Sequence, residues 1–140
     1  MSFTKLEDVR QEVIGAFKGV HDAHYPATKV NYPNFVVVDL EHQVDPFVSV
    51  ALDLSLASRA AIGDNEMIVP GLLLVYYYFR EGTGSAGSFG YTDMLNQYLC
   101  MQQIGSIAYG AAKPMSIRSF PVWDGLLNYI KFDICSTVCV

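Results

Sequence analysis

The run from Leu72 to Phe79, Leu-Leu-Leu-Val-Tyr-Tyr-Tyr-Phe, narrows most what this chain can fold into. It has no polar interruption and sits between Pro70-Gly71 and Arg80-Glu81-Gly82. Val, Tyr and Phe favour an extended backbone, and an unbroken apolar run of this length predicts a strand covered on both faces. A glycine-rich loop follows, with Gly82, Gly84, Gly87 and Gly90. Thr92 then offers a cap for a helix whose Leu95, Tyr98 and Leu99 share one side.

Gly82-Thr83-Gly84-Ser85-Ala86-Gly87 spells G-x-G-x-x-G between that strand and that helix. In a dinucleotide site such glycines let backbone N–H groups approach a pyrophosphate at a helix N-terminus. The fingerprint also needs a parallel β-α-β unit and an acid about twenty residues on. No acid occurs between Asp93 and Asp124, and Ser88-Phe89-Gly90-Tyr91 separates the glycines from the Thr92 cap. The stretch reads better as a flexible loop, and a small nucleotide-binding domain is the weaker alternative.

With 140 residues, one domain spanning 1–140 with a single core is expected. Half the residues are hydrophobic (51%) and 16% are charged, with eight Phe and nine Tyr. That is more apolar surface than one small core needs, so an obligate assembly is expected. The net charge of −5 opposes a grip on phosphate backbones. No run is long enough to span a membrane, and MSFTKLEDVRQEV lacks the apolar core of a signal peptide. Cys100, Cys135 and Cys139 form no disulfide framework, which predicts a reducing cytoplasm, with Cys135 and Cys139 as buried thiols.

Thr4-Lys5-Leu6-Glu7 is a capping box for a helix running to about Val20, with Leu6, Val9, Val13, Phe17 and Val20 as its apolar stripe. Gly15, unfavourable inside a helix, suggests close packing there. His21 and His24 have helical metal-ligand spacing, but Pro26 is near and no third ligand is evident, so a polar helix exit is expected. Residues 30–40 look extended at a sheet edge because of Pro33. The next strand alternates clearly: Val48, Val50, Leu52, Leu54 and Leu56 against Ser49, Ala51, Asp53 and Ser55. A long connection, residues 57–69, carries Arg59, Asp64 and Glu66. Beyond the second helix, residues 105–113 show no clear period. An edge strand, an Asp124-Gly125 turn and a last strand with Leu126, Asn128, Ile130, Phe132 and Ile134 in one register complete the chain. The acids Asp22, Asp39, Glu41, Asp45 and Asp53 read as a solvated set, and no nucleophile or ligand cluster marks an enzyme. No cofactor is expected.

The order of these features resembles the tail terminator family (gpU-like minor tail proteins) of long-tailed bacteriophages. The resemblance runs through Val30-Asn31-Tyr32-Pro33-Asn34, Asp45-Pro46-Phe47-Val48-Ser49-Val50, Ile62-Gly63, Pro70-Gly71-Leu72-Leu73-Leu74-Val75, Glu81-Gly82-Thr83-Gly84 and Asp93-Met94-Leu95. It implies an α+β fold, a mixed and mainly antiparallel sheet with two helices packed on one face. It also implies a virion tail location, after assembly in the host cytoplasm. The implied role is a hexameric ring that caps the tail tube, ends its elongation and joins the head–tail connector, with DNA passing through unbound and no membrane involved. A head–tail connector or tail-completion protein is the neighbouring alternative. Within that reading, Leu74, Tyr76, Tyr77 and Tyr78 are expected at the subunit interface, because their strand has no polar face. Arg59, Asp64, Glu66, Thr83 and Ser85, in loosely ordered loops, are expected to touch the tube or connector. Ser49, Asp53 and Ser55 are expected to line the lumen.

Overall fold

The computed structural model describes residues 6–33, 36–54, 58–59, 66–80, 82, 86–114, 117–123 and 125–139. Helix α1 spans Leu6–His24. Its Val9, Val13 and Phe17, four residues apart, are fully buried, and the helix continues one turn past the expected end because His21 extends the same stripe. The expected cap at Thr4 lies outside the described residues. Gly15 is exposed with open space around it, so the expectation of close packing at this position is corrected.

Eight strands form one sheet among the described residues: β1 (Val30–Asn31), β2 (Phe47–Leu54), β3 (Ser58–Arg59), β4 (Glu66–Arg80), β5 (Gln103–Ile104), β6 (Ile107–Pro114), β7 (Arg118–Phe120) and β8 (Gly125–Cys139). Helix α2 (Ala86–Leu99) lies between β4 and β5 in the chain. The sheet order is β1-β2-β4-β8-β6-β5, with β3 on β4 and β7 on β8. All pairs are antiparallel except β1 with β2, so the fold is α+β with a mixed sheet.

The central pair is β4 and β8, fifteen residues each, in register from Glu66 opposite Cys139 to Arg80 opposite Gly125. Strand β4 therefore begins well before the apolar run and passes through Pro70-Gly71, which the sequence presents as a boundary. Proline is tolerated because β2 ends opposite Gly71 and β3 reaches only Ile68, leaving Pro70 with a strand partner on one side among the described residues. Gly71 is required by closeness: a Cβ there would lie 2.6 Å from the Asp53 carbonyl oxygen and 2.7 Å from Leu54 Cδ2. Residues 105–113, which lack a clear period, hold a hairpin. Ile104 pairs with Ile107 around Gly105-Ser106, and Gly105 takes a φ of +59°. Glu12 of α1 accepts the Ser106 N–H at 2.9 Å, tying this turn to the first helix.

Alternation along the central pair separates two faces. Val69, Leu73, Val75, Tyr77 and Phe79 of β4 join Ile130, Phe132 and Ile134 of β8 in the main core, with Val9, Val13 and Phe17 of α1 and Tyr91, Leu95 and Leu99 of α2. The intervening β4 residues are half-buried, so the expectation of a strand covered on both faces holds for one face and fails for the other. Among the described residues, no helix is long and apolar enough to cross a membrane.

Two glycines test this packing in opposite directions. Gly15→Ala should raise unfolding stability by about 1 kcal/mol, since alanine lowers helix cost and meets nothing. Gly71→Ala should lower it by about 1–3 kcal/mol, because the atom it strikes is backbone. Urea midpoints of the two variants against the parent check both signs.

Candidate functional site

Residues directly opposite one another in an antiparallel ladder project to the same face. The registers of β2, β4 and β8 therefore define the outer face in four rows: Asp53, Leu72 and Asp133; Ala51, Leu74 and Lys131; Ser49, Tyr76 and Tyr129; Phe47, Tyr78 and Leu127. Lys113 continues the second row on β6, and Arg118 continues the fourth on β7.

A strap, residues 36–46, together with the turn through Trp123, covers the fourth row. Val38, Phe47 and Trp123 form a second small core, against which Leu40, Tyr78 and Phe120 pack. Phe47 stacks on Tyr78 at 4.6 Å and meets Trp123 edge-on at 4.9 Å. Polar groups lock this cover. The Gln43 carbonyl accepts from Arg80 Nη2 at 2.8 Å and from Trp123 Nε1 at 2.9 Å, while Asn31 Oδ1 accepts the Val37 and Val38 N–H groups. Gln43 is buried for this reason.

The other three rows stay open. Leu72, Leu74, Tyr76 and Tyr129 are half-buried and Asp53 is exposed. Tyr76 and Tyr129 lean on each other at 5.2 Å. A depression of about 310 Å³ sits at the first row, lined by Asp53, Pro70, Gly71, Leu72, Asp133 and Ile134. Lys113 Nζ donates to Asp133 Oδ2 at 2.8 Å, and this bond, with the charges of Lys113 and Lys131, holds the Asp133 carboxyl below the usual carboxylate range. Arg118 lies over the Tyr129 ring at 5.5 Å. Neither Arg118 nor Lys131 has an ion-pair partner among the described residues. This surface offers apolar area with charge at its margin, the chemistry of a docking face.

The strap is acidic and apolar outside. Asp39, Glu41 and Asp45 are exposed, as are Val36 at 76% and Val44 at 72%. Asp39 Oδ2 contacts His42 Nδ1 at 2.7 Å and Oδ1 accepts the Glu41 N–H at 3.1 Å, which lowers the Asp39 pKa. Asp39, Glu41 and His42 place ligand atoms within 4.8 Å of one another and could meet a cation, yet their mutual bonds close an exposed turn.

Inside, His21 is 1% exposed, which corrects its expected place in a polar helix exit. Its Nε2 carries a proton, because the Thr28 carbonyl 2.9 Å away can only accept, and the Tyr91 hydroxyl donates to Nδ1 at 2.8 Å. His24 instead stacks on Tyr98 at 4.4 Å, so the two histidines do not form a metal pair. The glycine loop also reads differently. Helix α2 begins at Ala86, not near Thr92, and takes in Gly87 and Gly90. A Cβ at Gly87 would lie 3.3 Å from the Tyr77 hydroxyl, so the third glycine of the fingerprint serves close packing of helix on sheet. The next long strand, β6, pairs with β8 and not with β4, which departs from the parallel unit a dinucleotide site needs.

The expected interface group divides. Leu74, Tyr76 and Tyr78 lie on the outer face, but Tyr77, 6% exposed, points into the core of the chain; its assignment to an interface is corrected. Tyr78 is mostly taken up by the second core. Ser49 faces Tyr76 and Asp53 faces Leu72, so the residues expected at a lumen share one surface with those expected at an interface. Ser55, Asp64, Thr83 and Ser85 lie outside the described residues. Arg59 and Glu66 sit on strands, opposite Met67 and Cys139, and not in a loop. Cys135, expected to be buried, is exposed. The strap was missed because its anchors, Arg80 and Trp123, are remote in sequence.

No family model matches the chain, and no curated protein matches it. A solved structure whose name states no activity shares the fold, with a TM-score of 0.72 at 15% identity over 94% of this chain and 95% of that one.

Burial raises the phenol pKa of several core tyrosines: Tyr109 and Tyr32 are pushed up to about 12, and Tyr91 and Tyr77 also move upward. A folded-state pKa above the unfolded value means stability is complete below pH about 10 and falls as pH rises through about 12. Urea midpoints should therefore decline over that window, and phenolate absorbance of Tyr109 and Tyr32 should appear at higher pH in the folded protein than in the unfolded chain. Tyr109 Oη has no hydrogen-bond partner among the described residues. Tyr109→Phe should add about 1 kcal/mol and flatten the decline.

Proposed function

We propose that this protein is a structural subunit of a long-tailed phage virion, of the tail-terminator kind. It assembles with itself into a hexameric ring that caps the tail tube, stops its growth and presents a surface to the head–tail connector. The observation that carries this reading is the open part of the outer sheet face, where Leu72, Leu74, Tyr76 and Tyr129 stay half-buried in the single chain. Apolar and aromatic side chains left this way across three adjacent strands favour a partner surface. In this reading both helices pack on the core face, which leaves the opposite face to neighbouring subunits. Asp53, at the exposed end of the face, borders the channel through which DNA passes, and its charge opposes phosphate binding.

The order of sequence features shared with tail terminators gives this assembly its biological setting. The shallow depression beside Asp53 and Asp133 is the rim of the same face in this reading. The tube and connector contacts fall to the β3–β4 end, where Arg59 and Glu66 lie.

The wild-type protein should show the mass of about six subunits by light scattering. Leu74→Asp and Tyr76→Asp should each give folded monomers with unchanged circular dichroism. Tyr77→Asp should instead unfold the chain, losing about 3–5 kcal/mol, as expected for a large ring removed from a core. Added to polymerising tail-tube protein, the wild type should limit tube length and Tyr76→Asp should not. A wild type that remains monomeric at every concentration, or tubes that grow alike with and without it, would sink the reading.

A further inference from the structure

The chain carries two exposed surfaces of opposite character at different places on one side of its sheet. The strap presents Val36, Val37 and Val44 among three carboxylates, Asp39, Glu41 and Asp45. The open face presents Leu72, Leu74 and Tyr76, with Lys131 and Arg118 at its edge, neither in a close ion pair among the described residues, while the Lys131 charge also acts on Asp133. The open face also holds Asp53 and Asp133, but Asp133 is bonded to Lys113, and the side of the face towards β7 is basic. Three valines held at the surface need apolar cover, and two cations at the edge of an apolar face need acids.

We infer that the strap of one copy docks on the open sheet face of the next, a head-to-tail contact between acidic strap and basic-edged face. This rests on the self-assembly proposed above and names the surfaces that make it. A contact between two different patches repeats around a ring when its rotation closes, whereas a patch that pairs with itself stops at two copies. The strap suits such a role because it does not reorganise on docking. Its backbone is tied to Asn31, Arg80 and Trp123, so its valines are already displayed.

The side of the sheet matters to the geometry. The strap covers the fourth row of the outer face and leaves the first three rows uncovered beside it. A neighbour's strap set on those rows continues the same layer along the strands. Its acids then come within reach of Lys131 on β8 and Arg118 on β7. Asp133, two residues from Lys131 on the same face, has its charge offset by the bond to Lys113.

The test uses two charge-reversed proteins. In the face variant, Lys131→Glu and Arg118→Glu are combined; in the strap variant, Asp39→Arg and Asp45→Arg are combined. All four positions are outside the core, and circular dichroism verifies folding. Native mass spectrometry should find each variant monomeric. Their equimolar mixture should regain the wild-type mass with the two variants alternating, since the wild-type strap of one meets the wild-type face of the other and the reversed strap meets the reversed face. A protein carrying all four reversals should regain the wild-type mass. Val36→Ser with Val44→Ser, which leaves charge untouched, should weaken assembly at least tenfold in the concentration needed. Should the strap variants keep the wild-type mass while Leu74→Asp abolishes it, the strap is not the occupant and the self-assembly reading survives. If the mixture stays monomeric while the face variant alone is defective, the face pairs with itself or with another patch, and the head-to-tail contact is refuted. A wild type that never assembles overturns both.

Discussion

The fifteen-residue ladder between β4 and β8 is the constraint on which the rest of this structure depends. Every other strand but two attaches to one of these two, and the exceptions, β1 and β5, hang on β2 and β6. The partners in the ladder are far apart in the chain, with α2, the β5–β6 hairpin and β7 between them. Closing such a distance costs entropy before any contact repays it, so the ladder is expected to form late. The hairpin at Gly105-Ser106 and the β7–β8 turn are local and can form first. Once the ladder registers, the assignment of each side chain to core or outer face follows by parity, because a slip of one residue would turn Leu73, Val75 and Tyr77 outward.

Parity also explains why the fold has an unfinished surface. Both faces of β4 are apolar in composition, but the core residues of α1 and α2 join only the set containing Leu73, Val75, Tyr77 and Phe79. The other set, Leu72, Leu74, Tyr76 and Tyr78, receives the strap at Tyr78 alone. Its neighbours on β2 are small or polar, Ser49, Ala51 and Asp53, which keeps the open apolar area moderate. An apolar strand beside a small-residue strand gives a face able to exist in water and still gain from being covered.

Much of this was legible in the sequence, and the failures have physical reasons. The stripe of α1 and the two registers of β8 were readable because periodicity is local information. The end of α1 was not, since His21 looks polar until Tyr91 and Thr28 satisfy both its nitrogens. The start of α2 was hidden by Gly87 and Gly90, which read as loop residues but lie where tyrosine hydroxyls of Tyr77 and Tyr25 approach. Pro70 and Gly71 looked like a strand boundary because the gap between β2 and β3 that tolerates the proline cannot be seen in one dimension. Choosing Tyr76 over Tyr77 for the outer face was beyond the sequence for a related reason. In a run without polar residues no position announces its side, and only pairing with the alternating strand β2 decides it. The Gly105-Ser106 hairpin was the one missed element with a usable local signal, two isoleucines flanking a Gly-Ser pair.

Arg80 connects the ladder to the surface beside it. It is the last residue of β4, and its guanidinium lies 4.3 Å over the Trp123 ring while donating to the Gln43 and Trp123 carbonyls. One planar cation thus fixes the strap and the turn before β8 at the same point, which a lysine could not do with a single compact ammonium. The energetic value of such a clasp is larger than its hydrogen bonds suggest. Segments that order only when they bind lose affinity to the entropy of ordering, at about 0.5–1.5 kcal/mol for each immobilised flexible side chain. Here that ordering is completed during folding, by bonds that end in the ladder itself. Exposed valines on an otherwise irregular segment become a shaped surface for that reason, and the long β4–β8 pairing is what shapes them.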